Sequence, residues 1–173
     1  MIKTTIIAAN GSEEIETLVP LDVLRRAGVD CKLVAVGDRE LTLSRGAKVI
    51  ADVLICDYDF TSVDCVILPG GMPGAKNVSI SAAAINAIKS VEARGGLIAA
   101  ICAAPAVILA KHSVCADKKA TCYHASDFIA ALGDRYTGEK VCSDGNLITA
   151  DGPLSSFEFA FKICERLGVK PAF

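Results

Sequence analysis

The chain alternates short apolar, β-branched runs with helical patterns, and this order restricts its fold more than any other feature. Thr4–Ala9, Cys31–Val36, Cys65–Leu68 and Leu97–Ile101 read as strands. Helical patterns cover about Glu14–Ala27, closed by Gly28, and Ile80–Arg94, where Ile85, Ile88 and Val91 share one face ahead of Gly95-Gly96. Two more cover Ala103–Lys111 and Pro153–Leu167, while Leu41–Val53 reads as a polar hairpin. Further strand signals stand at Ala120–Cys122 and Leu147–Thr149. Strand–helix alternation at this spacing predicts an α/β fold: one doubly wound domain over residues 1–173, with a mostly parallel sheet and helices on both faces. A composition 52% hydrophobic suits strands covered on both sides.

The charge balance narrows the function classes. The formal net charge is −2 and no basic block occurs, so neither nucleic acid nor an anionic membrane is expected as a partner. The start, Met1-Ile-Lys-Thr-Thr, is too polar for a secretory signal, and no apolar run reaches the roughly 18 residues of a spanning helix. A cytoplasmic protein is the expectation. Without a secretion signal a reducing compartment is expected, so its eight cysteines are not read as disulfides, and the absence of a CxxC pair disfavours zinc and a thioredoxin-type motif. Most lie in apolar runs, where cysteine behaves as a small buried hydrophobe.

Ligands of such sheets sit beyond the carboxyl ends of the strands, so three turns should converge: Ala9-Asn10-Gly11, Pro69-Gly70-Gly71 and Ile101-Cys102-Ala103. At Cys102 a buried strand passes into a helix without a loop, which places the residue on a tight turn flanked by Ala100, Ala103 and Ala104. The start of the following helix favours a thiolate there; an inert core cysteine is the alternative. Gly70 and Gly71 can bring backbone N–H groups close to a ligand, and with the Ala103 amide they could form an oxyanion hole; seen alone, a simple turn is the commoner reading. Glu13 and Glu14 suit a solvated helix start. Glu16 differs, because Pro20 cannot donate to its carbonyl and should loosen the helix. A carboxyl tipped into the cleft beside a thiolate would hold its proton, donate a hydrogen bond, and serve as a base once the sulfur is a neutral adduct.

These turns, in this order, resemble the ThiJ/PfpI superfamily, specifically the DJ-1-like branch around the parkinsonism-associated deglycase, with a class I glutamine amidotransferase-like fold. The matching strings are Gly11-Ser-Glu-Glu-Ile-Glu-Thr17, Arg25-Arg-Ala-Gly28, Leu68-Pro-Gly-Gly-Met-Pro-Gly-Ala75, Gly96-Leu-Ile-Ala-Ala-Ile-Cys-Ala-Ala-Pro105 and Gly152-Pro-Leu-Ser-Ser-Phe-Glu-Phe-Ala160. They span almost the whole chain. The resemblance implies a flavodoxin-like three-layer sandwich and a homodimer. It assigns the nucleophile to Cys102, a protonated carboxyl partner to Glu16 and oxyanion amides to Gly71 and Ala103, with Ile15, Arg26 and Arg45 near the dimer contact. It also implies conversion of methylglyoxal and glyoxal to hydroxy acids without cofactor or metal, deglycase activity, and oxidation of the cysteine to sulfinate in stress-protective or chaperone roles.

The departures are specific. Relatives carry a histidine in a Thr-His-Pro-like string, where this chain reads Ala120-Thr-Cys-Tyr-His-Ala125; Tyr123 takes that place and His124 falls one residue later. Both are candidate proton shuttles, whereas His112 suits a carbonyl cap. The PfpI proteases have a histidine directly after the nucleophile; Ala103 stands here, which argues against peptidase activity. Asp151 replaces a residue often basic or polar, weakening anion recognition at that edge. Ending at Phe173, the chain is expected to lack the further C-terminal helix that many relatives pack near the site, leaving a mouth that is more open or covered by a partner. Two functions follow: a cysteine enzyme acting on small dicarbonyls, or a redox-sensing stress protein using the same thiol, with Cys122 a candidate resolving cysteine but better read as buried.

Overall fold

A computed structural model describes residues 1–173. Its elements run β1 (Lys3–Ala9), α1 (Glu14–Arg26), β2 (Asp30–Val36), β3 (Glu40–Thr42), β4 (Lys48–Ile50), β5 (Val53–Leu54), β6 (Cys65–Leu68), α2 (Gly74–Ile80), α3 (Ala82–Ala93) and β7 (Leu97–Ile101). A wide π-type helix (Pro105–Ala110) follows, then α4 (Ser126–Leu132), β8 (Val141–Asp144), β9 (Leu147–Ala150) and α5 (Ser156–Leu167). Seven strands form one sheet in the order β5-β2-β1-β6-β7-β9-β8, parallel except for β8, while β3 and β4 make a separate antiparallel hairpin.

The strands are buried on both faces, and their side chains alternate between two cores. On β1, Ile6 and Ala8 join a cluster containing Leu24 of α1 and Phe159 and Ile163 of α5; Ile7 and Ala9 join the opposite cluster, with Val78, Ile88 and Ile108. Helices α1 and α5 therefore cover one face, and α2, α3, α4 and the π-type helix the other. Each fully buried Ile or Leu contributes roughly 1.5–3 kcal/mol, so the layering follows from the strand pattern.

Several expectations are corrected. Ala120–Cys122 forms no strand, only a single bridge from Ala120 to Tyr136. The Thr121 N–H donates to the Thr149 side chain (2.8 Å) instead of to a backbone carbonyl, and β8 takes the edge beside β9 through the Asp144-Gly145 turn. The helix expected over Ile80–Arg94 forms as α3 but starts at Ala82, because Ile80 ends α2 and Ser81 caps α3, its hydroxyl accepting from the Ala84 N–H. Helix α1 runs through Pro20 without interruption. Beyond Cys102 the expected helix is present: the Val107 N–H donates to the Ala103 carbonyl (2.9 Å), Ala104 is already helical, and only the widening to a π-type helix over Pro105–Ala110 was not expected. The segment Pro153–Ser155 is a 3-10 turn leading into α5.

Candidate functional site: a buried carboxyl against Cys102

The loops after β1, β6 and β7 meet at one point. Cys102 has φ of 64°, left-handed backbone that costs a residue with a Cβ on the order of 1–3 kcal/mol. Its neighbours on both sides hold it there: its N–H donates to the Ala150 carbonyl (2.9 Å) and its carbonyl accepts from the Tyr123 N–H (2.9 Å). The amides of Ala103 and Gly71 both reach its sulfur. Opposite stands Glu16, fully buried, with Oε2 accepting from the Gly70 N–H at 2.8 Å and its carboxyl set beside the cysteine side chain. Oε1 has no hydrogen-bond partner.

Because α1 is intact, Glu16 owes its direction to its place in the first turn rather than to a break at Pro20. Glu13 caps the helix, accepting from the Glu16 N–H (2.8 Å), and side chains of a first turn lean towards the strand ends. Glu14 is not simply solvated: it accepts from the Ser44 hydroxyl and the Arg45 and Ala47 amides, tying the β3–β4 turn to α1. Gly70 fits because nothing larger could: a Cβ there would lie 2.8 Å from the Cys102 Cβ, 2.8 Å from Glu16 Oε2 and 2.9 Å from the Ala103 nitrogen. Gly71, at φ 80°, needs its freedom too, since a Cβ would meet the Glu13 nitrogen at 2.5 Å.

Burial pushes the Glu16 carboxyl up to about 7, against the opposing influence of Cys102 and the Gly70 N–H. The thiolate expected at Cys102 is not favoured by its surroundings as a whole. Burial raises the thiol, and a charged Glu16 raises it further, while the Ala103 and Gly71 amides lower it. The pair therefore holds at most one negative charge near neutrality. When Glu16 keeps the proton, its influence on the sulfur reverses, because a neutral carboxyl donates to a thiolate.

The family model of the DJ-1/PfpI family matches residues 2–166. The chain belongs to the DJ-1/PfpI family. It is 40% identical over 167 residues to Protein dj-1beta of Drosophila melanogaster, covering 95% of this chain and 89% of that protein. It is 33% identical over 162 residues to a Caenorhabditis elegans protein named glutathione-independent glyoxalase DJR-1.2, covering 94% and 86%. Among solved structures, oxidised Toxoplasma gondii DJ-1 superposes with a TM-score of 0.92 at 38% identity, covering 96% of this chain and 91% of that one. The flavodoxin-like fold is thus shared with the DJ-1 proteins, and the family includes a named glyoxalase.

Within this DJ-1/PfpI fold, the other candidate residues fall in two groups. Tyr123 and His124 line a pocket of about 270 Å³ with Lys140, Asp151, Ser155 and Glu158. The Tyr136 hydroxyl hydrogen-bonds His124 Nδ1 at 2.7 Å, and His124 Nε2 faces Asp151 Oδ2 at 3.6 Å. Nothing near the Thr-Cys-Tyr-His string announces Tyr136, which arrives from the loop after α4. Ile15 is exposed on α1, Arg26 lies 5.3 Å over the Phe173 ring, and Arg45 tips the β3–β4 turn. His112 caps the Ser79 carbonyl (2.9 Å) at the end of α2. Six of the other cysteines are buried, Cys122 among them, and Cys56 is exposed. No helix is long and apolar enough to cross a membrane.

Proposed function

We propose that the chain is a cofactor-independent enzyme of the glyoxalase or deglycase type, acting on methylglyoxal and related dicarbonyls through Cys102. The supporting observation is the meeting of three features at one sulfur: the Ala103 and Gly71 amides and the buried Glu16 carboxyl. The thiolate adds to the aldehyde carbon while the amides hold the developing oxyanion. Glu16 gives its proton to that oxyanion, so the hemithioacetal leaves the sulfur neutral and Glu16 ionised, free to act as base. Glu16 takes the proton from the former aldehyde carbon, giving an enediol, and returns it to the adjacent carbon. The resulting lactoyl thioester reacts with water, releasing lactate and the thiol; no external oxidant or reductant is needed. His124 and Tyr123, at the pocket beside Cys102, are the groups placed to pass protons onward to solvent. Lactate formation from methylglyoxal without glutathione, in wild type, Cys102→Ala and Glu16→Gln, tests the reading. Loss of lactate in both variants is expected; equal rates in all three would overturn it.

A second reading uses the same geometry: a redox-sensing stress protein in which peroxide oxidises Cys102. Two equivalents convert thiolate to sulfenate and then sulfinate, each releasing water, and protonated Glu16 donates to a sulfinate oxygen. The orphaned Oε1 favours it. Intact-mass and peptide analysis after graded peroxide should show two oxygens on Cys102 before any other thiol changes.

We also propose a homodimer. Ile15, Leu154, Phe157, Phe161 and Phe173 are exposed large apolar side chains, and Ile15, Phe157 and Phe161 belong to α1 and α5, the two helices covering one sheet face. Sedimentation should give twice the chain mass.

A further inference from the structure

The pocket beside Cys102 is walled by segments that bond the backbone of the reactive cysteine: Tyr123 donates to its carbonyl, and Ala150, which accepts its N–H, precedes Asp151. These bonds set the pocket's walls next to the main chain of Cys102. Their charges are two carboxylates, Asp151 and Glu158, against one ammonium, Lys140, with His124, Tyr123 and Tyr136 as the other titratable groups. Asp151 is the charge that matters most. Its side chain is only 20% exposed, so solvent screens it least, and it is next in sequence to the residue bonded to Cys102. Oδ1 is occupied by the Ser155 hydroxyl (2.6 Å), while Oδ2 has only His124 Nε2 at 3.6 Å, longer than a hydrogen bond. An acceptor with spare capacity therefore faces the pocket.

We propose that this pocket selects carbonyl compounds bearing a cationic or hydrogen-bond-donating group a few bonds from the carbonyl, with Asp151 as the specificity-determining residue, and disfavours those bearing carboxylate or phosphate. The inference rests on the reading of Cys102 as the carbonyl-attacking nucleophile. Protonation of His124 opposes the preference, because the imidazolium neutralises Asp151; the selection is strongest when His124 is neutral.

The test needs no turnover. Amide shifts of Tyr123, Gly152 and Ser155 are followed by NMR in the full chain at about pH 8, where histidine is largely neutral, during titration with butylammonium or with butyrate. Both probes are inert to thiols. Butylammonium should bind at least about fivefold more tightly than butyrate, and Asp151→Asn, which keeps an acceptor for Ser155, should abolish the difference. Equal binding, tighter butyrate, or a preference surviving in Asp151→Asn would overturn the proposal. If that variant fails to fold, wild type at about 0.5 M salt replaces it: the preference must shrink, and one insensitive to salt contradicts the electrostatic origin. A failed lactate assay with an intact charge preference would remove the enzyme reading and with it the carbonyl part of this inference, leaving the charge selection standing; the reverse result would remove only this inference.

Discussion

Cys102 with Glu16 and Cys115 with Glu92 are one chemical pair built twice in this chain. Both cysteines adopt positive φ, 64° and 49°, and in both burial raises the thiol before the neighbouring glutamate raises it further, Cys115 to about 12. The surroundings then diverge. At Cys102 two backbone amides reach the sulfur, Glu16 is wholly buried, and the thiol is partly open beside a pocket. At Cys115 the Glu92 Oε1 is spent on the cysteine's own N–H (2.6 Å), Arg135 holds its carbonyl (2.7 Å), and the residue is 3% exposed. Beyond Glu92, the groups acting on its sulfur are the side chains of Asp117 and Lys118. A carboxyl beside a cysteine thus serves equally to tether a loop. Donors at the sulfur, a carboxyl costly to ionise, and access mark the reactive pair.

Breaking each pair in turn sharpens the contrast. Cys102→Ala should lower lactate formation by about a thousandfold or more, since the nucleophile itself is lost, while Cys115→Ala stays within about twofold. Glu16→Gln removes the proton carrier and should cost roughly 10²–10⁴-fold in rate. Glu92→Gln should leave the rate alone and cost about 1–2 kcal/mol in urea unfolding, from the weakened bond to the Cys115 N–H. Gly70→Ala, which forces a methyl between Cys102 and Glu16, should reduce activity by roughly tenfold to a hundredfold by displacing the pair.

A pH-dependent effect falls on stability. Folded Glu16 keeps its proton up to about 7, against an ordinary value of 4.5. Between these values the folded chain binds more protons than the unfolded one, so stability falls as pH rises through that window, by up to about 3 kcal/mol, and is flat above it. Stability is thus highest on the acid side of the window, and Glu16→Gln should lose this slope in urea unfolding on either side of it.

How much of this was legible depended on where each interaction comes from. The four main parallel strands, Cys102 and the glycine turn could be read because their reasons are local: buried runs, a loopless strand–helix junction, and residues without a Cβ. The approach of Glu16 was legible as a carboxyl near a cleft, yet the reason offered, a helix loosened at Pro20, was wrong; its first-turn position aims it. Ala120–Cys122 misled because an apolar run can be buried without pairing, its Thr121 N–H being satisfied by a side chain from β9. The β8–β9 hairpin had a usable signal, Asp144-Gly145 with Gly145 at φ 56°, that went unread. Tyr136, which fixes His124, carried no signal, because their contact joins an irregular loop to a residue 12 positions away.

The central claim is that Cys102 and Glu16 act as one unit sharing a single proton near neutrality. The most direct measurement is the ¹³C carboxyl shift of Glu16 across pH in the wild-type chain. Titration near 7, with the neutral acid dominant on the acid side, is the expected result; a carboxylate signal persisting down to about the ordinary value of 4.5 would contradict the account.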